Sequence, residues 1–535
     1  MRTGAEYREA LRDGRKVWLL GTGPIDDVTT HPLTKGMVDA YVKWYDRHFD
    51  PQWQDIVLTP PDKTGERRPV AFEIPKTAQE LRRLGKEISS VHFTTGGNMT
   101  HTPGYGALIS LGILDTVKML NLAPEDAEKA AAYRDMIART GRFLTFSSGG
   151  PPVGFRFREE EKDRASVRVV KERDDGLVIS GKVAMHTSTP FAEDVLVTSG
   201  TQRNPDSEHR SWFIVSVATP GVRVIARKAS ARYENRFMSP LTHRFDELDA
   251  QLWLEDVFVP WERIFTVEGQ LGPLAPGPTD DSEESARRRA SSLASWLFWH
   301  QHYGWLAKLE FTLGLALAAA DAMGLKENAA TVEQLTDAVV DVQTSRSCVL
   351  AAELDPDLST AGHLLPGQKH VAVASLNTLK ARQRVTEIAR GLPGSSLVVA
   401  PVDTDFDDPK MASDLEEAFG GGGYTARQRS ALLQLIWDHV SSGLDGREST
   451  FEMHANGGIA MWRSRMRTLF DSYNQLANGV LQAIDIEMPA IDVAGIRGVM
   501  PWSLRRQPPR LPGGGAAPPT DGSYPAAPAA AAPGS

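Results

Sequence analysis

The strongest constraint in this chain is a change of apolar period that occurs twice. Over about residues 143–268 apolar and polar residues alternate, as in "SVRVVKERDDGLVISGKVAM", "DVLVTS", "SWFIVSV", "VRVIA" and "QLWLEDVFVP". A period of two sends successive side chains to opposite faces of a strand, and such segments need a sheet to pair with. Asp174-Asp175-Gly176 joins two of these runs and predicts a hairpin, because Gly accepts a positive φ in the turn. Before about residue 142 short helices such as "AAYRDMIARTGRFL" alternate with loops, and "SVHF" favours neither state.

From about residue 269 the helical period returns. "TVEQLTDAVVDV" has Thr331 and Gln334 in capping-box spacing, with Val332, Leu335, Val339 and Val342 predicted on one buried face. "LEFTLGLALAAADAM" is apolar nearly all round, which predicts a place inside a bundle. "VAVASLNTLKARQRVTEIARG" is expected to end on Gly391 as its C-cap, and "RQRSALLQLIWDHV" adds a further helix. The glycines Gly420 to Gly423 read as an unstructured connector. The last stretch, "QPPRLPGGGAAPPTDGSYPAAPAAAAPGS", has too few large apolar groups to offset its ordering entropy and reads as disordered. The expected organisation is α+β: a helical domain over 1–142, a β barrel or sandwich over 143–268, a helical bundle over 269–506 and a tail over 507–535.

Composition narrows the function classes. The formal net charge of −9 argues against nucleic acid or an anionic membrane as the main partner. The one cysteine, Cys348, excludes an internal disulfide and any multi-cysteine metal cluster within the chain, and reads as a small core residue. No metal site is expected. "MRTGAEYREALRDGRKVW" is polar throughout, and the nearest candidate span, "LGLALAAADAMGL", is too short to cross a bilayer, so a cytoplasmic location is expected. Gly21-Thr22-Gly23 is followed by Pro and Ile rather than by pyrophosphate-binding spacing, and reads as a loop.

"NMTHTPGY", residues 98–105, carries turn residues directly before the apolar run "GALISLGIL". It places His101 and Tyr105 at the mouth of a buried helix. A histidine there is a titrating donor or base near neutral pH.

A helical segment, a β domain and a bundle, in that order, is the plan of acyl-CoA dehydrogenase-like flavoproteins. "TGAEYREALRDGRKVW", "DDVTTHPLTKG", "MTHTPGY", "TPFAEDVLV", "SPLTHRFDELDAQLWLEDVFVPWERIF" and "IWDHVSSGLDGREST" together resemble the oxygenase component of the 4-hydroxyphenylacetate 3-hydroxylase family. The resemblance runs from about residue 3 to residue 480. It implies a monooxygenase that receives reduced FAD from a separate NAD(P)H:flavin reductase. It further implies O2 as co-substrate, hydroxylation of a small aromatic through a flavin C4a-hydroperoxide, and a homotetramer.

The resemblance also implies residue roles. The family's turn binds the phenolic oxygen with an arginine and a tyrosine; here these positions are His101 and Tyr105. A further family histidine on that oxygen corresponds to Phe146, an apolar wall that cannot hydrogen-bond. These departures point away from 4-hydroxyphenylacetate itself as substrate. Gly149, Gly150, Pro151 and Pro152 fall on a flavin-contacting loop, and Thr187 or Ser188 on a flavin-contacting hydroxyl. Gly200 and Thr201 fall at the distal end of the substrate, ahead of a polar loop, "QRNPDSEHRS", that reads as a lid. Arg447 and the loop Asn456, Gly457, Gly458 and Ile459 fall at the FAD pyrophosphate, with Arg463 and Arg465 nearby. His300 and His302 in "WHQHYGW" are further candidates for the base, of which at most one is expected to reach the site. Three alternatives stay open: oxygenation of an amine or non-phenolic heteroaromatic, an acyl-CoA dehydrogenase-like flavin oxidoreductase, and a flavin-binding protein without catalysis. The cluster-containing dehydratase branch is excluded by the single cysteine.

Overall fold

A computed structural model describes residues 1–146, 166–198, 211–230, 235–266, 293–359 and 361–455, with isolated positions up to 483. Met1–Met466 forms one compact unit and Arg467–Ser535 clusters as a second. The tail at 507–535 lies outside the described residues.

The first helices are α1 (Gly4–Ala10), α2 (Lys35–Asp46), α3 (Gln54–Val57), α4 (Ala78–Thr94), α5 (Pro103–Leu120) and α6 (Pro124–Thr140). Two short strands, β1 (Val17–Leu19) and β2 (Gly23–Ile25), interrupt them. The sequence reading had only helices and loops here, because three-residue strands are too short to show a period. Leu20, Gly21 and Thr22 make the turn between them, with φ of +82° at Gly21, and Gly23, at φ +114°, opens β2 opposite Leu19.

The β domain contains β3 (Leu144–Phe146), β4 (Arg168–Arg173), β5 (Gly176–Thr187), β6 (Asp194–Thr198), β7 (Ser211–Ser216), β8 (Val222–Ala226), β9 (Asp249–Pro260) and β10 (Ile264–Thr266). They form two sheets, ordered β2-β1-β8-β9-β5-β4 and β10-β7-β6-β3. The hairpin expected at Asp174-Asp175-Gly176 joins β4 to β5. The first sheet therefore takes two strands from the N-terminal segment, and β1 pairs in parallel with β8. The long antiparallel pair β5 and β9 ends with Thr187 opposite Asp249. That register brings two polar residues together at the sheet end facing the helices.

The bundle follows as α7 (Leu293–Ala322), α8 (Ala329–Leu354), α9 (Gln368–Gly391), α10 (Pro409–Phe419), α11 (Ala426–Val440) and α12 (Gly443–Ala455). Five local expectations change here. Asn328, not Thr331, caps α8: its side chain accepts from the Thr331 N–H. The buried face of α8 is Leu335, Ala338, Val342 and Val349, while Val332 and Val339 point outward. Gly391 is the last helical residue of α9, and the left-handed glycine is Gly394, at φ +58°. Gly420 to Gly423 make an ordered turn, with Arg429 Nη2 donating to the Gly421 carbonyl at 2.7 Å. The α7 stretch expected inside the bundle, which starts at Leu309, buries Leu313, Leu315, Ala316, Ala319 and Ala320 but exposes Gly314, Leu317 and Asp321.

α5 joins the two halves of the core. Ile109, Ile113 and Leu114 pack into the core shared with the β domain, whereas Leu108 and Leu111 pack into the core of the bundle. A helix apolar all round can serve two cores at once, each buried aliphatic side chain contributing about 2 kcal/mol. Gly106 allows its close approach to β3: a Cβ there would stand 2.5 Å from the Leu144 carbonyl oxygen. α5 thus holds Tyr105 beside the strand that carries Phe146.

Candidate active site

The turn before α5 is the helix's N-terminal cap. Thr102 Oγ1 accepts from the Tyr105 N–H at 3.2 Å, and Pro103 occupies the first turn, where a missing N–H costs nothing. His101, just outside the cap, is held from three directions. Its N–H donates to Glu247 Oε1 at 2.7 Å, and its carbonyl accepts from Tyr41 OH at 2.8 Å. Its Nδ1 lies 3.0 Å from Thr100 Oγ1, whose hydroxyl donates to Glu247 Oε2 at 2.8 Å.

Aromatic groups from three elements close around this turn. The His101 ring meets Tyr105 edge-on with centroids 4.6 Å apart, and Phe451 of α12 at 5.8 Å. Tyr105 lies 5.0 Å from the His300 ring and 6.1 Å from Phe146. Gln301 Nε2 donates to Tyr105 OH at 3.2 Å, and His300 Nε2 lies 3.4 Å from Thr102 Oγ1. His300 Nδ1 is buried and has no hydrogen-bond partner among the described residues. Burial, and then the field of Glu247, pushes the Tyr105 phenol well above its ordinary value. Burial, reinforced by His92 and His101, holds His300 well below the usual imidazole range. Both groups are therefore neutral near pH 7.

His302 does not join this cluster. Two residues along a helix is a rotation of about 200°, so its ring faces the bundle interior. It lies edge-on to Trp305 at 5.6 Å, and its Nε2 is 3.3 Å from Thr378 Oγ1 of α9. Burial lowers it to about 3, so it is a neutral core histidine.

The next layer joins the strand end to α12. Thr187 Oγ1 donates to Asp249 Oδ1 at 2.8 Å, and Ser188, at φ +63°, shares a 2.7 Å hydrogen bond with Tyr41 OH. Arg447 clamps Asp249 through Nε at 2.7 Å and Nη2 at 2.6 Å, and also pairs with Glu448. Lys308 pairs with Glu448 and Glu452; Arg382 pairs with Glu452 and Asp445; Arg227 pairs with Asp246 and Asp249. The expectation that Arg447 neutralises a pyrophosphate does not fit this arrangement. The five cations Arg227, Lys308, Arg382, Arg390 and Arg447 already face the five carboxylates Asp246, Asp249, Asp445, Glu448 and Glu452, so among the described residues of this network no positive charge is left over.

Several predicted positions fall outside the described residues: Gly149, Gly150, Pro151, Pro152, Gly200, Thr201 and the "QRNPDSEHRS" loop, Asn456, Gly457, Gly458 and Arg465. Ile459 and Arg463 are exposed. Among the described residues no group of His, Cys, Asp or Glu has metal-binding geometry. The sequence reading singled out neither Glu247 nor Gln301, Thr100, Tyr41 and Phe451. Glu247 stood in the quoted "DELDA" block, where it served only as a family mark.

These residues fit a planar aromatic guest. A buried imidazole nitrogen without a partner costs about 1–3 kcal/mol unless a bound group completes it, and His300 Nδ1 is such an atom, on a ring packed against Tyr105 and His92. The strand-end residue Ser188, bonded to the Tyr41 hydroxyl that also holds the His101 carbonyl, and its neighbour Thr187 suit the polar edge of an isoalloxazine.

Family models described as 4-hydroxyphenylacetate 3-hydroxylase N terminal and C terminal match residues 3–266 and 291–481. The oxygenase component of a 4-nitrophenol 4-monooxygenase/4-nitrocatechol 2-monooxygenase from Rhodococcus opacus is 30% identical over 523 residues, covering 94% of this chain and 95% of that protein. A 4-hydroxyphenylacetate 3-monooxygenase oxygenase component from Thermus thermophilus is 27% identical, covering 89% and 95%. The solved oxygenase component of 4-hydroxyphenylacetate 3-monooxygenase with FAD and 4-hydroxyphenylacetate is similar at TM-score 0.80 and 25% identity. It covers 90% of this chain and 99% of its own.

Proposed function

The chain belongs to the 4-hydroxyphenylacetate 3-hydroxylase family of FADH2-dependent monooxygenases with an acyl-CoA dehydrogenase-like fold, and on that premise we propose that it hydroxylates a small phenol or closely related aromatic. The observation that carries this reading is the convergence of His101, Tyr105, Phe146 and His300 on one buried point. Phe146 and Phe451 offer the substrate ring an apolar wall. Tyr105 OH, oriented by Gln301, donates to the substrate's polar group. His101 is the base toward that group, and withdrawing its proton raises the nucleophilicity of the ring. Thr187 and Ser188 would hold the flavin edge, and Gly149 to Pro152 are proposed as further flavin contacts. Bound reduced FAD supplies, with O2, the oxygen atom that is transferred. The buried, largely apolar surroundings keep water from that chemistry.

A separate NAD(P)H:flavin reductase delivers the reduced FAD. Supporting this, Gly21-Thr22-Gly23 lies in a hairpin and is not a phosphate-binding loop before a helix. A homotetramer is supported by an apolar stripe on α8, where Val340 is 58% and Leu354 64% exposed beside Val332, Val339 and Leu350. Among the described residues no helix is long and apolar enough to cross a membrane; a cytoplasmic location rests on the single cysteine and the family.

The test is to mix anaerobically reduced FAD with the protein, admit oxygen, and supply phenols, anilines and heteroaromatics in turn. Hydroxylated product in excess of released peroxide is expected with phenols. No product from any member, with flavin oxidising as it does free in solution, overturns the reading. Product from anilines alone moves the substrate class to amines.

A further inference from the structure

Resting on the phenol reading above, we infer that Glu247, acting through Thr100, fixes His101 as the Nδ1–H tautomer and so selects phenols that arrive un-ionised. A threonine hydroxyl has one proton to give. Thr100 gives it to Glu247 Oε2 at 2.8 Å, so the 3.0 Å contact to His101 Nδ1 is made by a proton on that nitrogen. Glu247 also accepts the His101 N–H at 2.7 Å, and two donors converging on one fully buried carboxyl suit its ionised form. His101 Nε2 is left as the lone-pair nitrogen, with no hydrogen bond among the described residues.

The charge around His101 explains the selection. Glu247, which accepts the Thr100 hydroxyl and the His101 N–H, is the acidic group in contact with it, and its field also reaches Arg447. Tyr105 of α5, His300 of α7 and His92 of α4 face it as neutral groups, and Tyr41 of α2 touches only its carbonyl. Arg447, stacked on the Phe451 ring at 4.3 Å, is occupied by Asp249 and Glu448. A phenolate entering here would meet the Glu247 carboxyl and, among the described residues, no free cation. A neutral phenol meets a lone pair instead: its O–H bond breaks, the electron pair stays on oxygen, and the proton moves to Nε2. The resulting imidazolium is balanced through Thr100 by Glu247. The overall reaction then balances as ArH + O2 + FADH2 → ArOH + FAD + H2O. His101 is the catalytic residue; Thr100 and Glu247 are positioning residues.

A series of phenols of graded acidity, assayed with reduced FAD across pH, tests this. In the wild type, kcat/KM for hydroxylation falls above each phenol's own pKa, so the falling limb moves with the substrate. Glu247→Gln removes the repulsive charge, and the falling limb weakens. Thr100→Val keeps the shape but breaks the relay, lowering kcat by about 10²-fold with KM nearly unchanged, whereas Thr100→Ser keeps wild-type kcat. His101→Arg moves the preference to ionised phenols. A wild-type kcat/KM indifferent to substrate ionisation, or Thr100→Val with wild-type kcat, overturns the inference. If the wild type hydroxylates no phenol at all, it is the function reading that fails.

Discussion

Arg447 closes on Asp249 with two parallel hydrogen bonds, at 2.6 and 2.7 Å, and so ties α12 of the bundle to the first residue of β9. Thr187, one of the residues proposed to meet the flavin, hangs on the same carboxylate. Removing one partner of a buried pair leaves the other charge uncompensated, typically costing about 3–5 kcal/mol. Asp249→Ala is expected to lower the thermal midpoint markedly. Arg447→Lys is expected to fall nearly as far, since a point charge cannot reproduce the two-pronged grip. Wild-type thermal stability in Arg447→Lys would refute the bidentate role.

His300 and His302 should separate by function. His300→Phe keeps a ring against Tyr105 but removes the nitrogen that meets Thr102 and the unpartnered Nδ1, and is expected to lower the product formed per FADH2 consumed. His302→Phe replaces a neutral core ring packed against Trp305, so coupling is expected to survive with at most a modest loss of stability. Equal loss of coupling in both would return His302 to the site.

Gly106 gives a prediction with an unusual sign. In an exposed helix Gly→Ala gains about 1 kcal/mol. Here the new methyl would meet the Leu144 backbone, so Gly106→Ala is expected to destabilise, pushing α5 away from β3. Tyr105 and Phe146 would part, and coupling should fall along with the thermal midpoint. A stabilised variant would show that the two elements are free to separate.

Acid stability should depend on Glu448. Burial alone would raise its carboxyl, but Arg447 and Lys308 outweigh burial and hold it well below the ordinary range. A carboxyl lowered on folding contributes its full stability above its unfolded value, near 4.5, and loses it as pH falls from there toward the depressed folded value. Thermal midpoints measured from pH 6 to pH 3 should therefore drop more steeply in the wild type than in Glu448→Gln. Parallel slopes would remove Glu448 from the acid response.

The exposed apolar stripe on α8 predicts an interface. A charge at Val340 or Leu350 should be tolerated by the fold of one chain, since both side chains point away from the core. Val340→Glu and Leu350→Glu are expected to lower the mass seen by light scattering while leaving helicity intact. An unchanged mass in both would place the subunit contacts elsewhere.

The sequence by itself determined the features that short-range physics controls. The period of two from about residue 143, the Asp174-Asp175-Gly176 hairpin and the turn at 98–105 before a buried helix follow from backbone sterics and hydrogen bonds within a few residues. The family motifs lay in the same local strings, so the fold and the candidate turn were legible. Tertiary structure decided what depends on partners distant in the chain. Glu247 meets His101 from 146 residues away, and Asp249 takes up the charge of Arg447 from 198 away. Val332 and Val339 carry the right period for a core but lie outside it, because Leu335, Ala338 and Val342 turn the register of α8 toward its neighbours. Spacing shows which residues share a face of an element; only the packing of sheet against helices selects which face is buried and which charges meet.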